Sequence, residues 1–296
     1  MDVWYHKRNM RLNPAFEAYY QNIYGSRWQG LRESLLASPA SVAYGEGLAR
    51  PYLLDYGSVL AARSLRLPGE TGPPGETGAG EGTEILDACA APGGKSLVIA
   101  GRMGSGVRLL ANELSGERRR RLAAALDAHL DGEKRQWVRV SGFDAAAAGG
   151  KKRDWGRFDG ILLDAPCSSE RHVLADPGAL TRWTKARPRF LAQRQWALLS
   201  AAFLLLKPGG SLVYATCALS PEENDHVAGR LLEKYGTAPA AKALGMGDEG
   251  DLAPGIVRLD PPDFPEGEAT RYGRIILPDL SGGMGPMYVA RFRKNV

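Results

Sequence analysis

Three cysteines stand in this 296-residue chain, at positions 89, 167 and 217. Their number is odd and their spacings wide. Neither a disulfide framework nor a metal site is expected, and reduced thiols of a cytoplasmic compartment are. Cys89 reads as a small buried packing residue, the usual state of a free cysteine. The other two close strand-like runs, in Asp164-Ala165-Pro166-Cys167-Ser168 and in Ala215-Thr216-Cys217-Ala218-Leu219-Ser220. Two thiols beside one carboxylate suit covalent chemistry on a pyrimidine. Carbon 5 of cytosine is a poor nucleophile. A thiolate adding to carbon 6 pushes electron density to carbon 5, which then takes a methyl group from a sulfonium. Asp164 at ring nitrogen 3 would stabilise the developing charge, and a second thiol would help expel the first. A free thiol has a pKa of about 8.5, so the nucleophile needs activation, and Lys95 is the cation expected to supply it.

A second group of residues suits a nucleoside-bearing donor. Asp87-Ala88-Cys89-Ala90-Ala91-Pro92-Gly93-Gly94-Lys95-Ser96 follows a short apolar run. Its small residues and paired glycines let backbone approach a ligand, and the next helix opens on it. A Walker loop needs glycine where Cys89 stands, and a dinucleotide fingerprint needs G-x-G-x-x-G, so both fail. Glu113 lies 113 − 93 = 20 residues past Gly93, the usual offset for a carboxylate on ribose hydroxyls. Asp144 is placed to meet an adenine amino group. Ala91, Pro92, Gly93, Gly94, Lys95, Glu113, Arg118, Asp144 and Asp164 form the expected donor site. The alternative is an ordinary strand-to-helix turn with two surface acids. Amino-group methylation uses a polar-Pro-Pro-aromatic motif, and Asp-Ala-Pro-Cys argues against it.

These residues need elements to hold them. Strand patterns at Glu84–Cys89, Val107–Glu113, Trp137–Ser141, Phe158–Asp164 and Ser211–Thr216 alternate with helical ones at Lys95–Met103, Gly116–Leu130, Phe190–Leu206 and Pro221–Tyr235. Lys207-Pro208-Gly209-Gly210 is a stop signal, and the acids after Pro221 fall in a first helical turn. The alternation predicts an α/β, doubly wound parallel sheet, with Met287–Phe292 as an added edge strand. Ahead of it, Phe16, Tyr19, Tyr20, Ile23 and Tyr24, then Trp28, Leu31 and Leu35, recur at helical spacing. The expected division is a helical N-terminal segment at 1–65, a flexible Pro/Gly-rich loop at 66–84 and a main domain at 85–296.

Composition limits the class. Hydrophobic residues make up 44% and charged residues 24%, with a net charge of +5. The longest apolar stretch, Trp196–Leu206, is 11 residues, short of the roughly 18 that suggest a membrane span. No secretory signal is visible at the N-terminus. Arg118–Arg121 and Lys151-Lys152-Arg153 are basic clusters that suit a phosphate track or a solvated face.

The DACAAPGGKS, LLDAPCSS and YATCALSPEEN segments resemble the Nol/Nop/Sun (RsmB-like) family of RNA cytosine-5 methyltransferases, over roughly residues 50–296. PYLLDYGSVL, LLDAPCSSERHVL and LPDLSGGMGPMY are similar, more narrowly, to the subfamily of the mitochondrial ribosomal-RNA enzyme. The resemblance implies a Rossmann-like class I methyltransferase sheet and S-adenosylmethionine (S-adenosyl-L-methionine) as donor. It carries Cys217 over as nucleophile, Cys167 as the group assisting release and Asp164 as the base-contacting acid. It implies RNA as partner, ribosomal RNA first and transfer RNA as the alternative, for a monomer with room for a targeting protein. Ser169-Glu170-Arg171-His172 replaces the usual glycines after Pro-Cys-Ser. Arg171 and His172 suit a substrate contact and a structural cap equally. The rival readings are an RNA-binding ribosome-assembly factor that keeps the fold and a DNA cytosine methyltransferase, which would use the Pro-Cys cysteine and lack Cys217.

Overall fold

The computed structural model describes residues 13–67, 82–150, 152–236, 255–259, 264 and 267–295. Most of the loop expected at 66–84 lies outside the described residues, as do Lys151 and the first twelve positions. The N-terminal part holds helices α1 (Pro14–Tyr24) and α2 (Trp28–Leu36), the hairpin β1 (Ser41–Tyr44) and β2 (Tyr52–Asp55), and α3 (Tyr56–Arg63). Then come β3 (Thr83–Asp87), α4 (Gly94–Arg102), β4 (Val107–Asn112), α5 (Gly116–His129), α6 (Gly132–Gln136), β5 (Val138–Ser141) and α7 (Ala145–Ala148). The second half runs β6 (Phe158–Asp164), α8 (Glu170–Ala175), α9 (Pro177–Arg182), α10 (Ala186–Leu205), β7 (Leu206–Thr216) and α11 (Asp225–Tyr235). It ends with β8 (Ile256–Leu259), β9 (Gly267–Ala269), β10 (Arg274–Ile276) and β11 (Met287–Lys294).

The central sheet has the order β5-β4-β3-β6-β7-β11-β10-β9, with β8 also paired to β11. Its first five strands are parallel, and β11, β10 and β9 add antiparallel pairs. The Ile-Leu-Leu run of β6 is buried on both faces, which is why it reads as continuous apolar sequence. One face carries Phe16, Tyr20 and Trp28 packed with Trp183, Leu199 and Phe203. Val59, Leu97, Ile99, Leu122 and Leu126 cover the other. The N-terminal helices thus share a core with the sheet. No helix among the described residues is long and apolar enough to cross a membrane.

Three expectations change. Met287–Phe292 is not an edge: β11 lies between β7 and β10, with Tyr288, Val289, Ala290 and Phe292 fully buried. At the end of β11 the Lys294 ammonium is itself buried, donating to the carbonyls of Phe203 (3.2 Å) and Leu206 (2.8 Å). Burial lowers its pKa to about 8. The Lys-Pro-Gly-Gly stop does end α10, but the chain passes straight into β7, with Gly209 at φ +78° inside the strand. Finally, α11 starts at Asp225, so Glu222 and Glu223 do not sit in its first turn.

Candidate active site

Every expected site residue but Arg118, which lies in the first turn of α5, stands at or just beyond the carboxyl end of a parallel strand. The loop Ala91–Lys95 follows β3, Glu113 follows β4, Asp144 follows β5, Asp164 ends β6 and Cys217 follows β7. In an open α/β sheet this is the edge where ligands bind.

The two thiols meet. Cys167 Sγ and Cys217 Sγ are 2.9 Å apart, and both side chains are half-buried. The hydrogen bond to Cys217, then burial, pushes the Cys167 thiol well above its ordinary pKa. Cys167 therefore keeps its proton at neutral pH and can donate it to the Cys217 sulfur. Lys95 Nζ lies 2.9 Å from Asp164 Oδ2 and donates to Ser58 Oγ at 3.0 Å. Burial works against the ammonium, but the charge and hydrogen bond of Asp164, with Cys217 and Asp87 behind it, raise its pKa overall. Cys217 thus lies within electrostatic reach of the Lys95 ammonium, the cation that the sequence reading named as its activator.

Two buried carboxylates that the sequence reading passed over hold the cysteine loops together. Glu223 Oε2 accepts from Ser168 N (2.9 Å) and from Gln195 Nε2 (2.8 Å), and the same Gln195 nitrogen donates to Pro166 O at 3.0 Å. Glu170 accepts from Leu219 N (2.9 Å), from Tyr20 OH (2.5 Å) and from Ser168 Oγ. Burial, then the nearby Glu170 charge, pushes Glu223 up to about 7. Helix α1 braces the same loop: Tyr24 OH donates to Leu219 O (2.8 Å), and Tyr19 OH bonds Ser220 Oγ (2.9 Å). Thr216, Ala218 and Asn224 close it with three further hydrogen bonds. The signal available beforehand was the Glu223-Asn224 pair directly after a thiol-bearing strand end.

The donor side is a cleft walled by Pro92, Gly94, Lys95 and Asp164 below and by Tyr52 and Leu54 of the β1–β2 hairpin above. It continues past Cys89 to Glu113, Asp144 and Phe143. Gly93 has φ +119°, and a Cβ there would stand 3.2 Å from Ala125 Cβ. A Cβ on Gly94 would come within 3.1 Å of Tyr52 Cε1. Only glycines let this backbone lie against its neighbours and face a ligand. Asn112, buried and also missed, donates to Ala88 O and Phe143 O and accepts from Phe143 N, tying three strand ends into one wall. Asp87, fully buried under the loop, accepts from Ser96 Oγ at 2.6 Å, and burial pushes it up to about 7.

The remaining expected residues divide. Arg118 pairs with Glu113 Oε2 (3.2 Å) and donates to Ala91 O (2.8 Å), so it ties the carboxylate to the glycine loop. Glu113 Oε1 accepts from Ser115 N at 2.9 Å; each oxygen keeps a lone pair for a hydroxyl. Asp144 caps α7 through Ala146 N (3.0 Å) while lining the cleft. Cys89 is half-buried and lines the cleft instead of only packing. Arg171 is a structural cap: it donates to carbonyls of Ser34, Leu35 and Ala37 at the end of α2 and of Gly283 and Gly285. The basic run on α5 is divided, with Arg119 turned to the carbonyls of Glu113 and Leu114 and Arg121 paired to Glu117.

Two solved structures share the fold: NSun6 from Pyrococcus horikoshii, at TM-score 0.58 and 24% identity over 85% of this chain and 54% of that one. The other is a methyltransferase homolog protein from the same organism, at TM-score 0.59 and 23% identity over 87% and 73%. In sequence, the chain is 39% identical over 161 residues to ribosomal RNA small subunit methyltransferase F of Vibrio cholerae, covering 54% of this chain and 33% of that protein. It is 38% identical over 219 residues to the protein of that name from Serratia proteamaculans, covering 74% and 41%. The chain thus matches well under half the length of these curated relatives. The family model described as 16S rRNA methyltransferase RsmB/F matches residues 78–250, more than half of the chain, and includes the glycine loop and both paired cysteines. The chain belongs to the RsmB/F family.

Proposed function

We propose that this chain is an RNA cytosine-5 methyltransferase acting on ribosomal RNA, with S-adenosylmethionine as donor. The observation that carries the proposal is the sulfur pair at 2.9 Å, with Cys167 three residues past Asp164, whose ion pair with Lys95 lines the glycine-edged cleft. That cleft fits an adenosyl donor. Glu113 takes the ribose hydroxyls, Asp144 the adenine edge, and Gly94 leaves open the space toward Tyr52 and Leu54 that a Cβ would enter. When bound, S-adenosylmethionine supplies an electrophilic methyl group.

Cys217 Sγ adds to carbon 6 of the cytosine, and the 5,6 π electrons localise on carbon 5. Lys95 supplies positive charge beside the attacking sulfur. Asp164, ion-paired to Lys95, accepts hydrogen bonds from the ring's amino edge and from nitrogen 3 when it carries a proton. Carbon 5 takes the methyl group, and the electrons of the broken bond stay on the donor's sulfur. The carbon 5 proton passes to water, its C–H electrons restore the double bond, and the carbon 6–sulfur bond breaks with its electron pair on Cys217, which leaves as a thiolate. Cys167, holding its proton against Cys217, gives that sulfur a hydrogen bond as it leaves. The base must be unpaired or flipped to reach the sulfur.

An assembly factor without turnover has no use for two sulfurs held in register by two buried carboxylates. A DNA-type enzyme would attack through Cys167 and have no second thiol beside it, whereas here Cys217 Sγ stands 2.9 Å from Cys167 Sγ. The test is transfer from donor labelled at its methyl group into ribosomal RNA, followed by nucleoside analysis. Label in 5-methylcytidine is expected; label in another nucleoside, or none, overturns the proposal.

A further inference from the structure

The cleft explains how a donor and one base are held, but not how the strand on either side of that base is gripped. Between Asp176 and Glu222 the sequence holds no acidic residue, yet Arg182, Lys185, Arg187, Arg189 and Arg194 crowd into thirteen positions of it. Most of them fall on the first turns of α10. At 100° per residue, Arg189, Gln193, Phe190, Arg194 and Arg187 follow one another around a single helix face. All five are exposed, while Pro188, Gln195 and Leu199 face inward. Phe190 is 66% exposed and is the one aromatic side chain left exposed among the described residues. The charges are little used inside the fold. Arg189 stands 3.6 Å from Glu222 while 77% exposed, a weak and displaceable pair.

The helix is anchored to the site from its inner face, where Gln195 donates both to Pro166 O of the Cys167 loop and to Glu223 of the Cys217 loop. Arg194 shares the cleft wall with Glu113, Asp144 and Pro166. Phe190 lies five residues before Gln195, about 7.5 Å along the helix. Exposed aromatic surface among exposed cations is the pattern that grips a single strand, with bases stacking on the ring and phosphates meeting the charges.

We infer that the amino-terminal half of α10 is the track for the RNA strand flanking the target cytosine, with Phe190 as a stacking platform and Arg187, Arg189 and Arg194 as phosphate contacts. The inference rests on the proposed RNA substrate. It also selects α10 over the basic run on α5, where Arg118 and Arg119 turn inward.

The test is the affinity of the full chain for a fluorescent single-stranded ribosomal RNA fragment over a salt series, with S-adenosylmethionine binding by calorimetry as the control for an intact fold. Phe190→Ala is expected to weaken RNA binding about tenfold with its salt slope unchanged. The double variant R187E/R189E is expected to weaken it at least about tenfold and to flatten the slope by about 1.4, the share of two single-strand phosphate contacts. R120E/R121E, an equal charge change on α5, is expected to alter neither quantity. Donor binding stays as in the wild type throughout. RNA binding unchanged in both α10 variants, or an equal loss in R120E/R121E, overturns the inference and leaves the proposed reaction standing. A wild-type chain that binds donor but neither binds nor methylates RNA overturns the proposed reaction, and this track with it.

Discussion

The two halves of the site are held by different means. On the donor side, backbone does the holding: strand ends, two glycines and a helix start, with Glu113 and Arg118 fastened within one βαβ unit. On the thiol side, buried side chains do it, across long stretches of chain. Ser168 and Glu223 are 55 residues apart in sequence, and Tyr20 and Glu170 are 150 apart. A ligand pocket tolerates a backbone frame because its ligand fills it. In the proposed reaction one sulfur bonds a ring carbon and the other hydrogen-bonds it as it leaves, which needs both loops fixed to a fraction of an ångström, and a mutual clamp does that. Damage to the donor half should therefore appear in donor affinity, and damage to the thiol half in turnover.

The largest effect is expected from Cys217→Ala, a loss of at least about 10^3-fold in methyl transfer with donor affinity unchanged. Cys167→Ala should keep the first bond-forming step and stall afterwards, giving an RNA adduct visible as a shifted band on a denaturing gel. Glu223→Ala comes next. It leaves Ser168 N–H and Gln195 without their buried acceptor, at about 1–3 kcal/mol for each stranded donor, and lets the Cys167 loop drift. Turnover should fall by about 10–100-fold with donor Kd unchanged, and Glu223→Gln should recover much of it, because an amide oxygen still accepts both bonds. A Glu223→Ala variant that loses donor affinity as strongly as turnover would break the division between the halves.

Gly93→Ala should show the reverse pattern. Its φ of +119° and the 3.2 Å approach of Ala125 strain any side chain there, so donor Kd should rise about tenfold, with little change in turnover at saturation. The smallest effect is on stability against pH. Asp87 and Glu223 have folded pKa values of about 7, raised by burial from 3.8 and 4.5. A carboxyl raised on folding binds its proton more tightly in the native state. Its contribution is therefore greatest below about pH 4 and declines as pH climbs to 7. The Tm should drop between pH 5 and pH 8, and Asp87→Asn or Glu223→Gln should each flatten that drop in thermal melts.

The contrast also explains what could be seen in the sequence beforehand. The donor half is local, so DACAAPGGKS, Glu113 and Asp144 stood out from their offsets along the alternating elements, and the structure brings them into one cleft. The sulfur pair was visible as two strand-end motifs, because strand order puts β6 beside β7. The clamp was not visible. Glu170 and Glu223 look like surface acids until the fold buries them, and no periodicity links Tyr20 to Glu170. Arg171 was open between two roles for the same reason, since its carbonyl partners come from positions 34–37 and 283–285. The place of Met287–Phe292 was not visible either, because β10 and β9 beyond it are three-residue strands too short to read from a pattern.

The central claim is that Cys217, and not Cys167, bonds to the base. Fluorine at carbon 5 of cytosine blocks the last elimination and so holds the enzyme on its RNA. With wild-type chain, donor and RNA carrying 5-fluorocytidine, digestion and mass spectrometry should place a methylated 5-fluorocytidine on the peptide bearing Cys217. The same nucleoside on the peptide bearing Cys167, or no adduct while unmodified RNA is methylated normally, would contradict the account.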